Sequence, residues 1–258
     1  MIESTTTTPS DFYGGSRILL EGIIDESPSD FYDGSRILLE GIIDEFLSCI
    51  GMIRRYQKSQ TGWDPISSST SRVKSPESMR EKLIRDGLEP TLQNALAHEH
   101  DAAGVRLICP MVDDVYRTAE LIRAIPDVTI LREKDFIAHP KPNGYRSYHM
   151  ILKMPIRFLG NTSETAALPC LEVQIRTIAM DCWASIEHEL KYKHDIANPE
   201  LMQQELKHCS DQIASTDLSL STLKELILTP NADPDANSNT SAGAEKPVAS
   251  DCRGIPLG

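Results

Sequence analysis

Three stretches of this 258-residue chain alternate apolar and polar residues with period two. In 104–109, Val105, Leu107 and Cys109 alternate with Gly104, Arg106 and Ile108. In 147–154, Tyr148, Met150, Leu152 and Met154 alternate with Ser147, His149, Ile151 and Lys153. In 171–176, Leu171, Val173 and Ile175 alternate with Glu172, Gln174 and Arg176. Alternation of this kind puts the two sets on opposite faces of a strand. Each strand offers one face to a core. The other face displays Arg106, His149, Lys153, Glu172, Gln174 and Arg176. Solvated faces favour Thr, Ser and Lys, whereas this set mixes acids, arginines and a histidine. That composition points to a site.

Helical spacing fills the gaps between the strands. Ile37, Leu38, Ile42, Phe46 and Ile50 recur as one helical face. Ser75-Pro76 opens a helix that Gly87 stops. On its wheel Ser78, Lys82 and Arg85 share a side while Met79 and Leu83 point elsewhere. A hydroxyl with two cations can hold phosphate, and an ordinary wet face has the same composition. Asp113 or Asp114 caps a helix with Val115, Ala119, Ile122 and Ile125 inward. A later helix places Ala179, Trp183, Ile186 and Leu190 on one stripe. Asn198-Pro199 then starts a helix carrying Met202, Leu206, Cys209 and Ile213. Leu220, Leu223 and Ile227 suggest a second, short one. These terminal helices either cover the core or build an oligomer. The order reads helix, strand, helix, three strands, helix, terminal helices. Short links between the later strands predict an α/β (α+β) fold with a mixed sheet flanked by helices, not a doubly wound parallel sheet.

Composition narrows the function. Hydrophobic residues make up 40% and aromatics 5%, so the core is largely aliphatic. Lys and Arg number 26 against 38 Asp and Glu, a net charge of −12. The balance argues against a generally basic nucleic-acid binder while leaving room for a local basic pocket, and DNA is not an expected partner. The acidity is uneven: residues 1–45 hold ten acids against two arginines. Residues 132–157 instead gather Arg132, Lys134, Lys141, Arg146, Lys153 and Arg157 against Glu133 and Asp135. Charge alone fits either a small anionic substrate or a solvated strand. No apolar run approaches the ~20 residues of a membrane span, and MIESTTTTPSDF lacks the regions of a signal peptide. Six cysteines without a Cys-x-x-Cys pair suggest a reducing cytosol and give no support to zinc.

Residues 9–26 recur at 28–45 with Gly14 replaced by Asp33 as the single difference. A period seen twice is no solenoid. The second copy runs into the first helix, and the first copy reads as redundant, flexible or packed on a neighbouring subunit. Residues 230–258, rich in Pro, Asn, Ser, Ala and Gly, read as a disordered tail. The expected organisation is therefore 1–45, 46–229 and 230–258.

Two groupings carry chemistry. In HPKPNGYRSYH (139–149), Pro140, Pro142 and Gly144 shape a loop that presents Tyr145. Such a tyrosine can stack on a nucleobase, with Lys141, Asn143 and Arg146 in reach, or simply decorate a surface turn. Asp101 precedes the first alternating strand and Glu172 lies on the polar face of the last. If those strands are neighbours, the two carboxylates and a water-rich Mg²⁺ form a phosphoryl-transfer centre, with nearby cations neutralising phosphate charge. The chain has no Walker A sequence and no Gly-x-Gly-x-x-Gly loop. His100-Asp101 and His194-Asp195 contain the pair used by metal hydrolases, but no all-helical domain precedes them, so hydrolysis is set aside.

Four stretches, RVKSPESMREKLIRDG, DAAGVRLIC, REKDFIAHPKPNGYRSYH and EVQIRTIAMDCWASIEHELKYK, resemble in order and spacing the synthetase domain of RelA/SpoT-type alarmone synthetases. The likeness spans residues 70–195, about half the chain, and is greatest to stand-alone small synthetases. It implies a nucleotidyltransferase-like fold and transfer of the β,γ-pyrophosphate of ATP to the 3′-hydroxyl of GDP or GTP. Carried over by motif, Arg72 and Arg106 would sandwich adenine, and Lys74, Ser78, Lys82 and Arg85 would hold the ATP phosphates. Asp101 and Glu172 would hold Mg²⁺, with Glu172 also taking the proton of the 3′-hydroxyl. Tyr145 would stack on guanine, with Lys141, Asn143 and His149 at the acceptor nucleotide. Arg132 to Asp135 resembles the basic version of a charge motif seen in bifunctional relatives. Small synthetases of this kind form tetramers through terminal helices and can bind alarmone in a central cleft. A different acceptor (an adenine nucleotide or the 3′ end of tRNA) and an inactive nucleotide or RNA-binding module are the rival readings.

Overall fold

The computed structural model describes residues 31–157, 169–192 and 198–228. The first repeat copy, His194-Asp195 and the 230–258 tail lie outside the described residues.

Five strands form one mixed sheet: β1 (Ser68–Val73), β2 (Ala103–Cys109), β3 (Thr129–Asp135), β4 (Tyr148–Lys153) and β5 (Leu171–Thr177), in the order β1-β2-β5-β4-β3. β2 and β5 run parallel, and every other pairing is antiparallel. The three alternating stretches are the three central strands. Val105, Leu107, Met150, Leu152, Val173 and Ile175 are all buried on the core face. The edge strand β1 was not predicted. Its sequence SSTSRV has no apolar alternation, and it is held by its ladder to β2.

Six helices are described: α1 (Arg36–Thr61), α2 (Pro76–Arg85), α3 (Leu92–His98), α4 (Val112–Arg123), α5 (Ile178–Tyr192) and α6 (Pro199–Leu228). α1 and α4 cover the apolar face of β2, with α1 also on β1 and α4 also on β5. Leu39, Ile42, Phe46 and Ile50 of α1 are buried, but Ile37 is 54% exposed because the inward face begins at Leu39. Ser75 caps α2 as expected, its hydroxyl accepting from the Ser78 amide, while Met79 and Leu83 are fully buried.

Four local expectations are corrected. Neither Asp113 nor Asp114 caps α4. Met111 occupies the N-cap, and Asp114 is buried as acceptor for the Trp63 indole N–H at 3.1 Å. On α5 the buried stripe is Met180, Trp183, Ala184 and Glu187, which leaves Ile186 exposed. On α6 Leu206 is buried but Cys209 is exposed, since Ser210 takes the inward position. Residues 220–227 continue α6 and form no separate helix. The chain divides after Ser221, and of the part from Thr222 onward only this helical end is described. No described helix is long and apolar enough to cross a membrane.

Candidate active site

The register of the sheet explains how distant residues meet. One row across it runs Arg72, Gly104, Glu172, Ile151, Arg132. The next runs Thr70, Arg106, Gln174, His149, Lys134. Facing residues in adjacent strands share a side of the sheet, so these two rows pave its polar face.

Two cavities open on that face and meet at one residue. The first is lined by Thr70, Arg72, Asp101, Arg106, Glu172 and Gln174, with Gly104 leaving room on the floor. The second is lined by Arg132, Lys134, Phe136, Lys141, His149 and Glu172. Glu172 belongs to both. Asp101, at the mouth of β2, is gripped by two lysines: Lys74 Nζ donates to Oδ2 and Lys82 Nζ to Oδ1, each at 2.9 Å. Lys82 also pairs with the buried Glu99. Burial works to raise the Asp101 pKa, yet the hydrogen bonds from Lys74 and Lys82 outweigh it and hold the carboxyl below its ordinary value. Burial likewise lowers and these two acids raise the Lys82 ammonium, with a net rise.

Glu172 is held differently. His149 Nδ1 lies 3.2 Å from Oε1 and Gln174 Nε2 donates to Oε2 at 3.0 Å. Burial opposes ionisation, but His149 and Gln174 outweigh it, so the pKa falls below the usual carboxylate value. The opposite nitrogen of the histidine, Nε2, is 2.8 Å from the Tyr145 hydroxyl. A consistent arrangement has Nδ1–H donating to Glu172, Tyr145 donating to Nε2, and the Arg176 guanidinium donating to the Tyr145 oxygen at 2.8 Å.

The sequence-derived residues divide accordingly. Arg72, Asp101, Arg106, Lys141, His149 and Glu172 line the cavities, and Lys74 and Lys82 abut them through Asp101. Ser78 and Arg85 are among the lining residues of neither cavity. The Ser78 hydroxyl meets that of Ser75, and Arg85 is 71% exposed beside Asp86. Asn143 is spent within the fold: its amide donates to Glu187 and its oxygen accepts from the Tyr145 backbone N–H. Tyr145 packs beside Trp183 and Leu206, with Lys141 Nζ 4.7 Å and Arg176 Cζ 5.1 Å from its ring centroid. The aromatic wall of the second cavity is Phe136, which the sequence reading passed over. It also passed over Asp181, whose Oδ1 lies 3.1 Å from Arg106 and 2.9 Å from Arg176.

Among the described residues no three His, Cys, Asp or Glu side chains gather as a metal cage. Two hard carboxylate donors on the wall of one cavity do fit a Mg²⁺ ion completed by water and phosphate oxygens, because that ion keeps much of its hydration and takes few protein ligands.

Comparison with known proteins bears on this geometry. Residues 71–197 match the family described as the region found in RelA/SpoT proteins. The GTP pyrophosphokinase YwaC of Bacillus subtilis (strain 168) is 43% identical over 150 residues, 58% of this chain and 70% of that protein. The crystal structure of small alarmone synthetase 2 from Bacillus subtilis superposes with a TM-score of 0.65 at 35% identity, covering 75% of this chain and 97% of that one. Small alarmone synthetase 1 from the same organism, bound to its product pppGpp, gives 0.64 at 30% identity over 74% and 95%. With two occupied rows of one sheet face, two adjoining cavities and relatives matched along most of their length, this chain belongs to the RelA/SpoT family of alarmone synthetases.

Proposed function

We propose that the chain is a GTP pyrophosphokinase, which moves the β,γ-pyrophosphate of ATP onto the 3′-hydroxyl of GDP or GTP to give ppGpp or pppGpp. The observation that carries this reading is Glu172 at the seam of two cavities. Pyrophosphoryl transfer needs a donor and an acceptor nucleotide side by side with a proton acceptor between them. The first cavity, with Asp101, Arg72 and Arg106, is the donor side. The second, with Lys141, His149 and the cationic pair Arg132 and Lys134, is the acceptor side.

In the reaction the acceptor 3′-oxygen attacks the β-phosphorus of ATP. The bond from that phosphorus to the α,β-bridging oxygen breaks, AMP leaves, and the hydroxyl proton passes to Glu172. Arg72 and Arg106 present planar cations to the adenine, and Lys74 and Lys82 exchange part of their hold on Asp101 for the phosphates. Asp101 and Glu172 would hold Mg²⁺, whose charge would offset that on the transferred group. His149 and Gln174 keep the Glu172 carboxylate ionised and oriented toward the seam. The exposed Leu201, Leu218, Leu220, Leu223 and Leu226 of α6 support assembly into a homotetramer. The scattered thiols support a cytoplasmic protein.

Purified protein incubated with ATP, GDP and Mg²⁺ is expected to release AMP and guanosine tetraphosphate in equal amounts on anion-exchange chromatography. Absence of both products across Mg²⁺ and Mn²⁺ would overturn the reading, and products built on an adenine acceptor would change the substrate.

A further inference from the structure

Arg106 and Arg176 stand on adjacent strands with their guanidinium groups turned to the same acid. Asp181, in the first turn of α5, presents Oδ1 to both: Arg106 Nη1 at 3.1 Å and Arg176 Nη1 at 2.9 Å. The Nε atom of each is buried without a partner, and Asp181 is the one acid paired with either among the described residues. Arg176 is almost wholly buried. Its other terminal nitrogen donates to the Tyr145 hydroxyl and to Gln174 Oε1, and its Cζ lies 5.1 Å from the Tyr145 ring centroid. Tyr145 in turn leans on His149 of the acceptor cavity, while Arg106 lines the donor cavity. A single carboxylate oxygen therefore stands between the two subsites.

We propose that Asp181 is a positioning residue for both nucleotides at once, holding Arg106 on the donor side and, through Arg176, the Tyr145–His149 pair on the acceptor side. This rests on the pyrophosphokinase reading of the site. The physical reason is charge. Two guanidinium groups this close repel one another, and partial burial together with Arg176 already disfavours the charge on Arg106. Removing the shared anion while leaving both cations unbalances a paired cluster. Each arginine then swings toward water, and both subsites lose their shape together. Glu172 itself bonds to neither arginine nor to Asp181, so the chemical step is affected less than binding.

Asp181→Asn keeps the shape and removes the charge. Steady-state kinetics are expected to show KM for ATP and KM for GDP each rising about tenfold, with kcat changing by less than about threefold. Asp181→Glu, which restores the charge on a longer arm, is expected to fold and to recover part of both KM values in step. A rise in one KM alone, or equal values for the Asn and Glu variants, refutes the assignment. If Asp181→Asn fails to fold, the Glu variant decides by the same criterion: a matched rise supports, a one-sided or absent rise refutes. A wild-type protein that makes no alarmone would instead defeat the reading of the site itself, so the two failures are distinguishable.

Discussion

At Glu172 burial, which favours the neutral acid, meets hydrogen bonds from His149 and Gln174, which favour the carboxylate, and the carboxylate prevails. A group so placed is ionised at neutral pH, as the proposed proton acceptor must be. Glu172→Gln keeps the volume but ends that capacity. Its turnover is expected to fall about 10³-fold, the scale of a lost general base combined with a lost charge at the centre. GDP affinity by calorimetry is expected to stay within a few fold, and turnover near wild type would remove the residue from the mechanism. Glu172 and Asp101 were legible in the sequence for a simple reason. Alternation put Glu172 opposite the core, and Asp101 preceded a strand of the same kind. Asp181, Glu187 and Phe136 were not legible, because an acid on a helix or an aromatic at a strand end carries no periodic signal. Their partners are known only once the strands are paired.

The same contrast holds for whole elements. The central strands announce themselves because both faces are constrained, one by the core and one by the site. The edge strand β1 is exposed along most of its length, so no hydrophobic pattern marks SSTSRV as a strand. It nevertheless supplies Arg72, placed level with Gly104 and Glu172 by the ladder. The stripe that helical spacing predicts on α5 runs through Ile186, which is exposed. The helix instead turns Glu187 inward to meet Asn143 of the 139–149 loop. That loop depends on α6 as well. Gly144 adopts φ +94°, its carbonyl accepts from the Ser210 hydroxyl, and a Cβ there would come within 2.7 Å of Ser210 Cβ. Both the backbone conformation and the close approach require glycine. Gly144→Ala is expected to destabilise the protein by about 1–3 kcal/mol, read as a lowered melting temperature. It should also raise KM for the acceptor more than for ATP, because the displaced segment carries Lys141 and Tyr145. Equal effects on the two substrates would mean that the loop does not belong to one subsite.

At the scale of the molecule, charge and apolar surface are distributed unevenly. The acids that give the net −12 concentrate near the amino-terminal repeat, whereas the polar sheet face sets Arg72, Arg106, Arg132 and Lys134 around two carboxylates. Cations gathered in two cavities suit a small anionic substrate better than a long polyanion. Among the described residues five of the six exposed leucines lie on α6, where Leu218 is 69% and Leu223 53% exposed. A lone exposed leucine is ordinary, but Leu223, Leu226 and Ile227 together leave apolar surface on the last turns of α6, the kind of surface the proposed assembly would use. Burying a leucine fully contributes about 1.5–3 kcal/mol, which would offset part of the entropy cost of association. Light scattering is expected to give a mass near four times the 28.7 kDa chain. Leu218→Glu combined with Leu223→Glu should reduce it, since each substitution exchanges buried apolar surface for a charge that must remain hydrated. A wild-type mass equal to one chain, or an assembly unmoved by the double substitution, would assign these leucines some other role. Because α6 also holds Gly144 through Ser210, a shift in assembly should register in acceptor KM before it registers in kcat.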